Sequence, residues 1–232
     1  MAKSNLKLDL VIKTPLRKMF TDFLNKLAAN ANRTFGKTSY AIIRELRGPI
    51  GAAIIRSPEM ASLQGGRLAG ELGLPPALQR AAPKDITEAI VNSIGAVVLP
   101  VRRAGRKLTG GINITVQPAD FRNMLGLGIS PIKYLSRNKK FKGKMVSLDW
   151  LDWLLFKGDA VIVQNFRVER GSHGRSGLAK MKGKRGNPWR IDPNFSGTVD
   201  DNFISRALDD PIARGEVLAA IQRIVKTHWG GR

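Results

Sequence analysis

The sequence predicts an α+β domain with N-terminal helices, a central, mainly antiparallel sheet and C-terminal helices. Two periodicities carry that prediction. Leu16, Phe20, Phe23, Leu24, Leu27 and Ala31 recur three or four residues apart, as do Val217, Leu218, Ile221, Ile224 and Val225 near the other end, which is the spacing of an apolar helix face. Between them Ile112, Ile114 and Val116 alternate with Asn113, Thr115 and Gln117, the two-residue period of a strand with one face in water. With 232 residues and 43% apolar composition, the chain can bury a sizeable core, and a single domain over 1–232 accommodates it.

Each element has its own signal. Leu6, Leu8, Leu10 and Ile12 alternate as an edge strand would. Pro15 suits the first turn of a helix. The apolar spacing that follows resumes at Tyr40, Ile43, Leu46, Ile50 and Ile54, with Gly36 and Gly48-Pro49 expected to bend or break it. Ser57-Pro58-Glu59 gives an N-cap, a first-position proline and a first-turn carboxylate, opening a short helix that ends near Gly73-Leu74-Pro75-Pro76. Residues 85–95 form a helix with Ile86, Ile90, Val91 and Ile94 on one face. Val97, Val98, Leu99 and Val101 read as a buried strand, and 102–111 as a basic turn before the next one. Residues 149–156 form a short amphipathic helix closed by Gly158, and 160–168 a further strand. Residues 170–190 hold five glycines, seven Lys or Arg and no acid, which predicts a long loop that a partner orders. Residues 200–208 and 211–228 are closing helices.

Composition narrows function. The chain has no cysteine and only His173 and His228, so disulfides, thiolate sites and cysteine nucleophiles are excluded and imidazole chemistry is scarce. No stretch reaches the roughly 18 to 20 apolar residues of a membrane span. The start, Met1-Ala2-Lys3-Ser4-Asn5, lacks a signal-peptide core, so synthesis in the cytoplasm and no membrane partner are expected. Gly65-Gly66-Arg67-Leu68-Ala69-Gly70 and Gly126-Leu127-Gly128 lack the lysine, hydroxyl or third glycine of phosphate loops. Gly174-Arg175-Ser176-Gly177 is one residue short of a nucleophile elbow. Asp149 and the Asp200-Asp201 pair sit where helices start, the place of capping carboxylates; Asp152 and Asp209-Asp210 bring no further ligands at loop spacing. No enzyme, metal or cofactor is expected.

Charge is the strongest feature. Lys and Arg number 39 against 18 Asp and Glu, a net charge of +21, which attracts polyanions. It gathers in three clusters: Arg102, Arg103, Arg106 and Lys107; Arg137, Lys139, Lys140, Lys142 and Lys144; and Arg175, Lys180, Lys182, Lys184 and Arg185. A solvated surface is the plain reading of such runs, yet so large an excess repels itself unless an anion is near. Base-specific reading is not indicated, because no zinc finger, RNA-recognition signature or helix-turn-helix is present.

Four segments, in this order, resemble the neck and tail-completion proteins of tailed bacteriophages. They are residues 57–74 (Ser57-Pro58-Glu59-Met60-Ala61-Ser62-Leu63-Gln64-Gly65-Gly66-Arg67-Leu68-Ala69-Gly70-Glu71-Leu72-Gly73-Leu74), 150–158, Arg175-Ser176-Gly177-Leu178-Ala179-Lys180-Met181, and Trp189 through Asn202-Phe203-Ile204-Ser205-Arg206-Ala207-Leu208. The resemblance implies a non-enzymatic helix-plus-sheet subunit, arranged as a homo-oligomeric ring around the DNA channel between head and tail. It places the chain in the virion, with portal or adaptor and tail-terminator or tail-tube proteins as neighbours. The basic stretches 136–144 and 170–190 are longer than that pattern. Arg102, Arg103, Lys139, Lys140, Arg175, Lys180, Lys182, Lys184 and Arg185 are the expected contacts to DNA or a partner. Trp150, Trp153, Trp189 and Phe203 are the expected subunit-interface anchors, with core filling as their alternative, and Trp229 belongs with these aromatics. The other reading is a cytoplasmic protein that binds nucleic acid without sequence preference, using the same clusters.

Overall fold

A helix of 40 residues, α1 (Leu16–Ile55), is the spine of this computed structural model, which describes residues 15–116, 131–135 and 145–228. The helix continues unbroken through Gly36, Gly48 and Pro49, where the sequence suggests a bend or break. Ile42, Leu46, Ile50 and Ile54 are buried on one continuous face. At about 1.5–3 kcal/mol each, they outweigh the roughly 3 kcal/mol an interior proline costs.

Three short helices wrap the C-terminal half of the spine. In α2 (Pro58–Leu63), Ser57 Oγ accepts from Met60 N–H as the capping motif predicts. The glycine pair 65–66 then divides the expected single helix, and α3 (Arg67–Leu72) ends at Gly73, whose φ of 64° gives a left-handed cap. The next helix, α4 (Pro76–Asn92), starts nine residues before the apolar periodicity at 85 and carries Pro83 inside it. At the other end of the chain, α6 (Phe203–Asp209) opens on an Asn202–Ser205 capping box, and α7 (Pro211–His228) packs on α1. Arg56 pairs with Glu216 at 3.0 Å and Arg223 with Glu45 at 4.0 Å, so α7 runs antiparallel to the spine.

The strands are antiparallel and pair as three two-stranded ladders. β1 (Ile94–Ala104) pairs with β2 (Lys107–Val116), so the basic turn expected at 102–111 shrinks to Gly105 and Arg106. Val97 and Leu99, expected to be buried, are 56% and 47% exposed, because this ladder has one covered face only. β3 (Pro131–Leu135) pairs with β4 (Met145–Asp149). The short helix α5 (Leu151–Leu155) follows, and β5 (Val163–Arg170) pairs with β6 (Ala179–Trp189). The expected edge strand at 6–12, the Gly126-Leu127-Gly128 turn, the cluster holding Arg137, Lys139, Lys140, Lys142 and Lys144, and Trp229 lie outside the described residues.

Between Leu99 and Arg102 the β1–β2 register shifts, freeing the backbone of Val101, and the side chain of Asn32 on α1 takes it. Asn32 Nδ2 donates to Val101 O at 3.0 Å and Asn32 Oδ1 accepts from Val101 N at 2.6 Å. This pair of hydrogen bonds, with Ala28, Ala31 and Val101 buried beside it, fixes the basic hairpin against the middle of the spine.

Candidate functional site

Of the stretch read from sequence as a loop, residues 179–189 are strand β6, which pairs with the expected strand β5 as a β-ribbon, while residues 171–178 form the turn between them. The register pairs Glu169 with Lys180, Val168 with Met181, Arg167 with Lys182 and Phe166 with Gly183. A two-residue period therefore puts Lys180 and Lys182 on one face with Arg167 and Glu169, while Val168 and Phe166 turn to the other. Val168 packs against the main core, whereas every residue from Lys180 to Pro188 is exposed. The ladder then breaks. Asn165, with φ of 63°, lies opposite residues 184–187 and accepts from Gly186 N–H at 3.0 Å. Lys184 and Arg185 thus stand on a bulge, a device that re-aims side chains away from the sheet plane.

The five basic residues expected to act together are not equivalent. Lys180, Lys184 and Arg185 have no carboxylate within salt-bridge distance among the described residues. Lys182 is 3.3 Å from Glu169, which Arg167 also engages. The hydrogen bond from Arg167, then that from Lys182, holds the Glu169 carboxyl below the usual carboxylate range, against the opposing effect of desolvation. Arg175 lies in the turn between β5 and β6, where its guanidinium reaches the C-terminal end of α3: a Cβ placed on Gly73 would stand 3.5 Å from its Nη2. Arg102 and Arg103 are exposed near the tip of the β1–β2 hairpin, the latter donating to Gly105 O at 3.1 Å.

The base of the ribbon is anchored by buried polar groups. Ser176 Oγ accepts from the backbone N–H of Leu178 and Ala179, and Ser176 O accepts from Gln79 Nε2 at 3.0 Å. The serine considered as a nucleophile is therefore a turn-former, 3% exposed. Gly174 must be glycine here, since its φ is 80° and an added Cβ would lie 2.0 Å from Ala179 O. Gly70 of α3 meets Ala179 at a notional 3.3 Å, so α3 seats the first residue of β6.

The aromatic residues expected at a subunit interface lie mostly inside. Trp150 and Phe203 are fully buried and Trp189 is 7% exposed, all in the main core, so as interface anchors these three are corrected to core residues. Their areas are already spent on this chain's own apolar contacts. Trp153 is half-buried; its indole N–H donates to Ala160 O at 3.1 Å and Lys157 stands 4.2 Å over its ring.

The four segments that carry the resemblance meet around this base. Glu59, with its side chain 3% exposed, pairs with Arg206 at 2.8 Å, and Arg206 also bonds Ser196 O and Asp201. Arg67 bonds Glu71 at 2.6 Å and also Asp192, and its pKa is raised chiefly by the Glu71 bond. Gly197 N–H donates to Trp153 O at 2.9 Å, and Gly158 N–H donates to Gly197 O at 2.8 Å. Residues distant in sequence thus form one knot of helix ends and turns, from which the basic ribbon emerges.

Sequence reasoning found the charges and the first strand of the ribbon but missed its second strand, Asn32 and Gln79. The alternation Lys180-Met181-Lys182-Gly183-Lys184 is the signal that could have revealed the strand. Among the described residues no group of three or more His, Asp or Glu could hold a metal ion, and no helix is long and apolar enough to cross a membrane. No protein-family model, curated protein sequence or solved structure matches the chain.

Proposed function

We propose that this chain is a structural subunit of a tailed-phage neck, a head-tail connector or tail-completion ring that meets DNA or an acidic neighbour through its β5–β6 ribbon. The observation that carries the reading is the exposed face bearing Arg167, Lys180 and Lys182, followed by Lys184 and Arg185 on the bulge. Side chains two residues apart on a strand lie about 6.5–7 Å from one another. That is close to the spacing of successive phosphates along a nucleic-acid backbone, and lysines read phosphates as point charges without regard to base. The ordered resemblance of the four segments, which the fold draws into one knot, supports placing this charge in a neck rather than in a free nucleic-acid-binding protein. The net charge of +21 supports an anionic environment, since ring symmetry multiplies the charge of each subunit.

The test is complementation of a phage lacking the gene with the triple variant Lys180→Ala, Lys184→Ala and Arg185→Ala. Arg175 is left in place because it engages the scaffold. These side chains are exposed, so the variant folds, and particles are expected to fail in neck assembly or to lose their genome. Fully infectious variant particles would sink the assignment. The cytoplasmic nucleic-acid-binding alternative instead predicts that the purified chain binds duplex DNA alone. Its log-log salt slope would then fall by about 2 to 3 in magnitude in the triple variant.

A further inference from the structure

The outer face of the spine carries a row of positive charge that lies outside the three clusters read from sequence. Lys26, Arg33, Lys37 and Arg44 follow one another at seven, four and seven residues along α1. At about 100° per residue they fall within an arc of about 40°, over about 27 Å of helix axis. All four are exposed, on the side opposite the buried Leu24, Ala31, Ile42 and Leu46. Tyr40, 76% exposed, stands beside them.

The chain does little to balance this row. No acid occurs between Phe23 and Arg44, and none of the four cations has a carboxylate within salt-bridge distance among the described residues. Of the segments outside these, 1–14 and 117–130 hold one side-chain carboxylate each, Asp9 and Asp120, and 136–144 and 229–232 hold none. Arg33 and Lys37 stand four apart, a like-charge spacing that destabilises a helix. A helix face that merely meets water mixes its signs. The outer face of α4 does so, with Arg80 and Lys84 followed at the next four-residue step by Glu88.

We propose that the outer face of α1 lies along the phosphate backbone of a nucleic-acid duplex, a contact separate from the β5–β6 ribbon. Three features favour a duplex over an acidic protein or a single strand. Protein interfaces centre on aromatic and apolar anchors, whereas interfaces with duplex DNA are more polar and more positive, as this face is. Single-strand sites interleave their cations with several stacking aromatics, and between Lys26 and Arg44 this face holds Tyr40 alone. An unbroken helix also sets its charges in line, which suits a duplex, stiff over far more than this length. Lysine meets a phosphate as a point charge, arginine as a fork, and the Tyr40 hydroxyl donates to a phosphate oxygen.

The test uses the full chain and a short DNA duplex of mixed sequence, with an RNA duplex in parallel. Lys26→Gln, Arg33→Gln, Lys37→Gln and Arg44→Gln together are expected to lower the log-log salt slope by about 3 to 4, since each phosphate contact contributes about 0.9. The loss is expected to be equal on unrelated sequences. The pair Arg33→Gln and Lys37→Gln is expected to lower the slope by about 2, and the matched pair Arg80→Gln and Lys84→Gln on α4 to leave it within about 0.5 of wild type. Glutamine suits a helix and relieves the repulsion between residues 33 and 37, so Tm is expected to hold or rise. A fourfold variant with the wild-type slope, equal losses from the two pairs, or a chain that binds neither duplex would overturn the contact. Poly-glutamate that competes as well as DNA at equal charge would overturn it in favour of an acidic protein. Binding of either duplex through the row supports it, and the tighter of the two names the source. The neck reading fails separately: a chain that binds duplex through α1 but is missing from virions keeps this contact and loses the neck. A chain found in necks whose fourfold variant binds duplex as wild type does keeps the neck and loses this contact.

Discussion

Asn32 shows how much one side chain can decide in this molecule. Its amide satisfies both the donor and the acceptor that the β1 register shift leaves on Val101. Asn32→Ala strands two part-buried backbone groups, at about 1–3 kcal/mol each at most. The expected result is a loss of about 2 kcal/mol in denaturant unfolding with an unchanged slope; a loss under about 0.5 kcal/mol would contradict the role given to it. Arg206 is the second such residue. Removing it leaves the Glu59 carboxylate buried with no cation beside it, and Arg206→Ala is expected to cost about 3 kcal/mol. Arg206→Ala combined with Glu59→Gln recovers part of that loss if the penalty arises from the stranded charge. Neither role was legible in sequence. Asn32 acts across 69 residues and Glu59 across 147, and no local pattern marks such a pairing, whereas Ser57 as a helix cap acts over three residues and was read directly.

At the scale of elements, local pattern succeeded where one signal dominated. The α2 cap stands in the structure as read, and Ile112, Ile114 and Val116 of β2 and Val217, Ile221, Ile224 and Val225 of α7 pack on the core, although Leu218, read on the same α7 face, is 57% exposed. The spine outran its sequence signals because burial along Ile42, Leu46, Ile50 and Ile54 overrides the local preference of Gly48-Pro49. The second strand of the ribbon was lost for the opposite reason. Its outer face is lysine and its bulge is Lys184-Arg185-Gly186-Asn187, so the apolar side that normally announces a strand is reduced to Ala179 and Met181. Hydrogen exchange distinguishes a ribbon from a loop. Amides of 166–170 and 179–183 that bond across the ladder are expected to be protected, and those of 184–187 to exchange far faster, apart from Gly186, which Asn165 holds. Uniformly fast exchange from 170 to 190 would return this segment to a loop. The Arg167–Glu169–Lys182 cluster adds a pH dependence of known sign. Because the folded Glu169 titrates lower than in the unfolded chain, its contribution is present above the usual carboxylate range and fades as pH falls through its lowered value.

Over the whole molecule, the fold class and the polyanion-seeking charge were legible because both are sums over many residues, which no single misread position can reverse. The arrangement of the charge was not, since it depends on which strand pairs with which. The aromatic residues illustrate the difference. Trp150, Trp189 and Phe203 read equally well as anchors or as core, and only the packing of distant segments made them core. Among the described residues the fold leaves at its surface a basic ribbon, a basic hairpin tip and an apolar stripe at the start of α1. The measurement that tests the proposed neck role most directly is cryo-electron microscopy of the neck of a tailed phage whose genome encodes this chain. The account predicts a closed ring of this chain between head and tail, with Lys180, Lys182 and Lys184 facing the DNA channel or an acidic neighbouring protein. A neck reconstructed in full without this chain would contradict it.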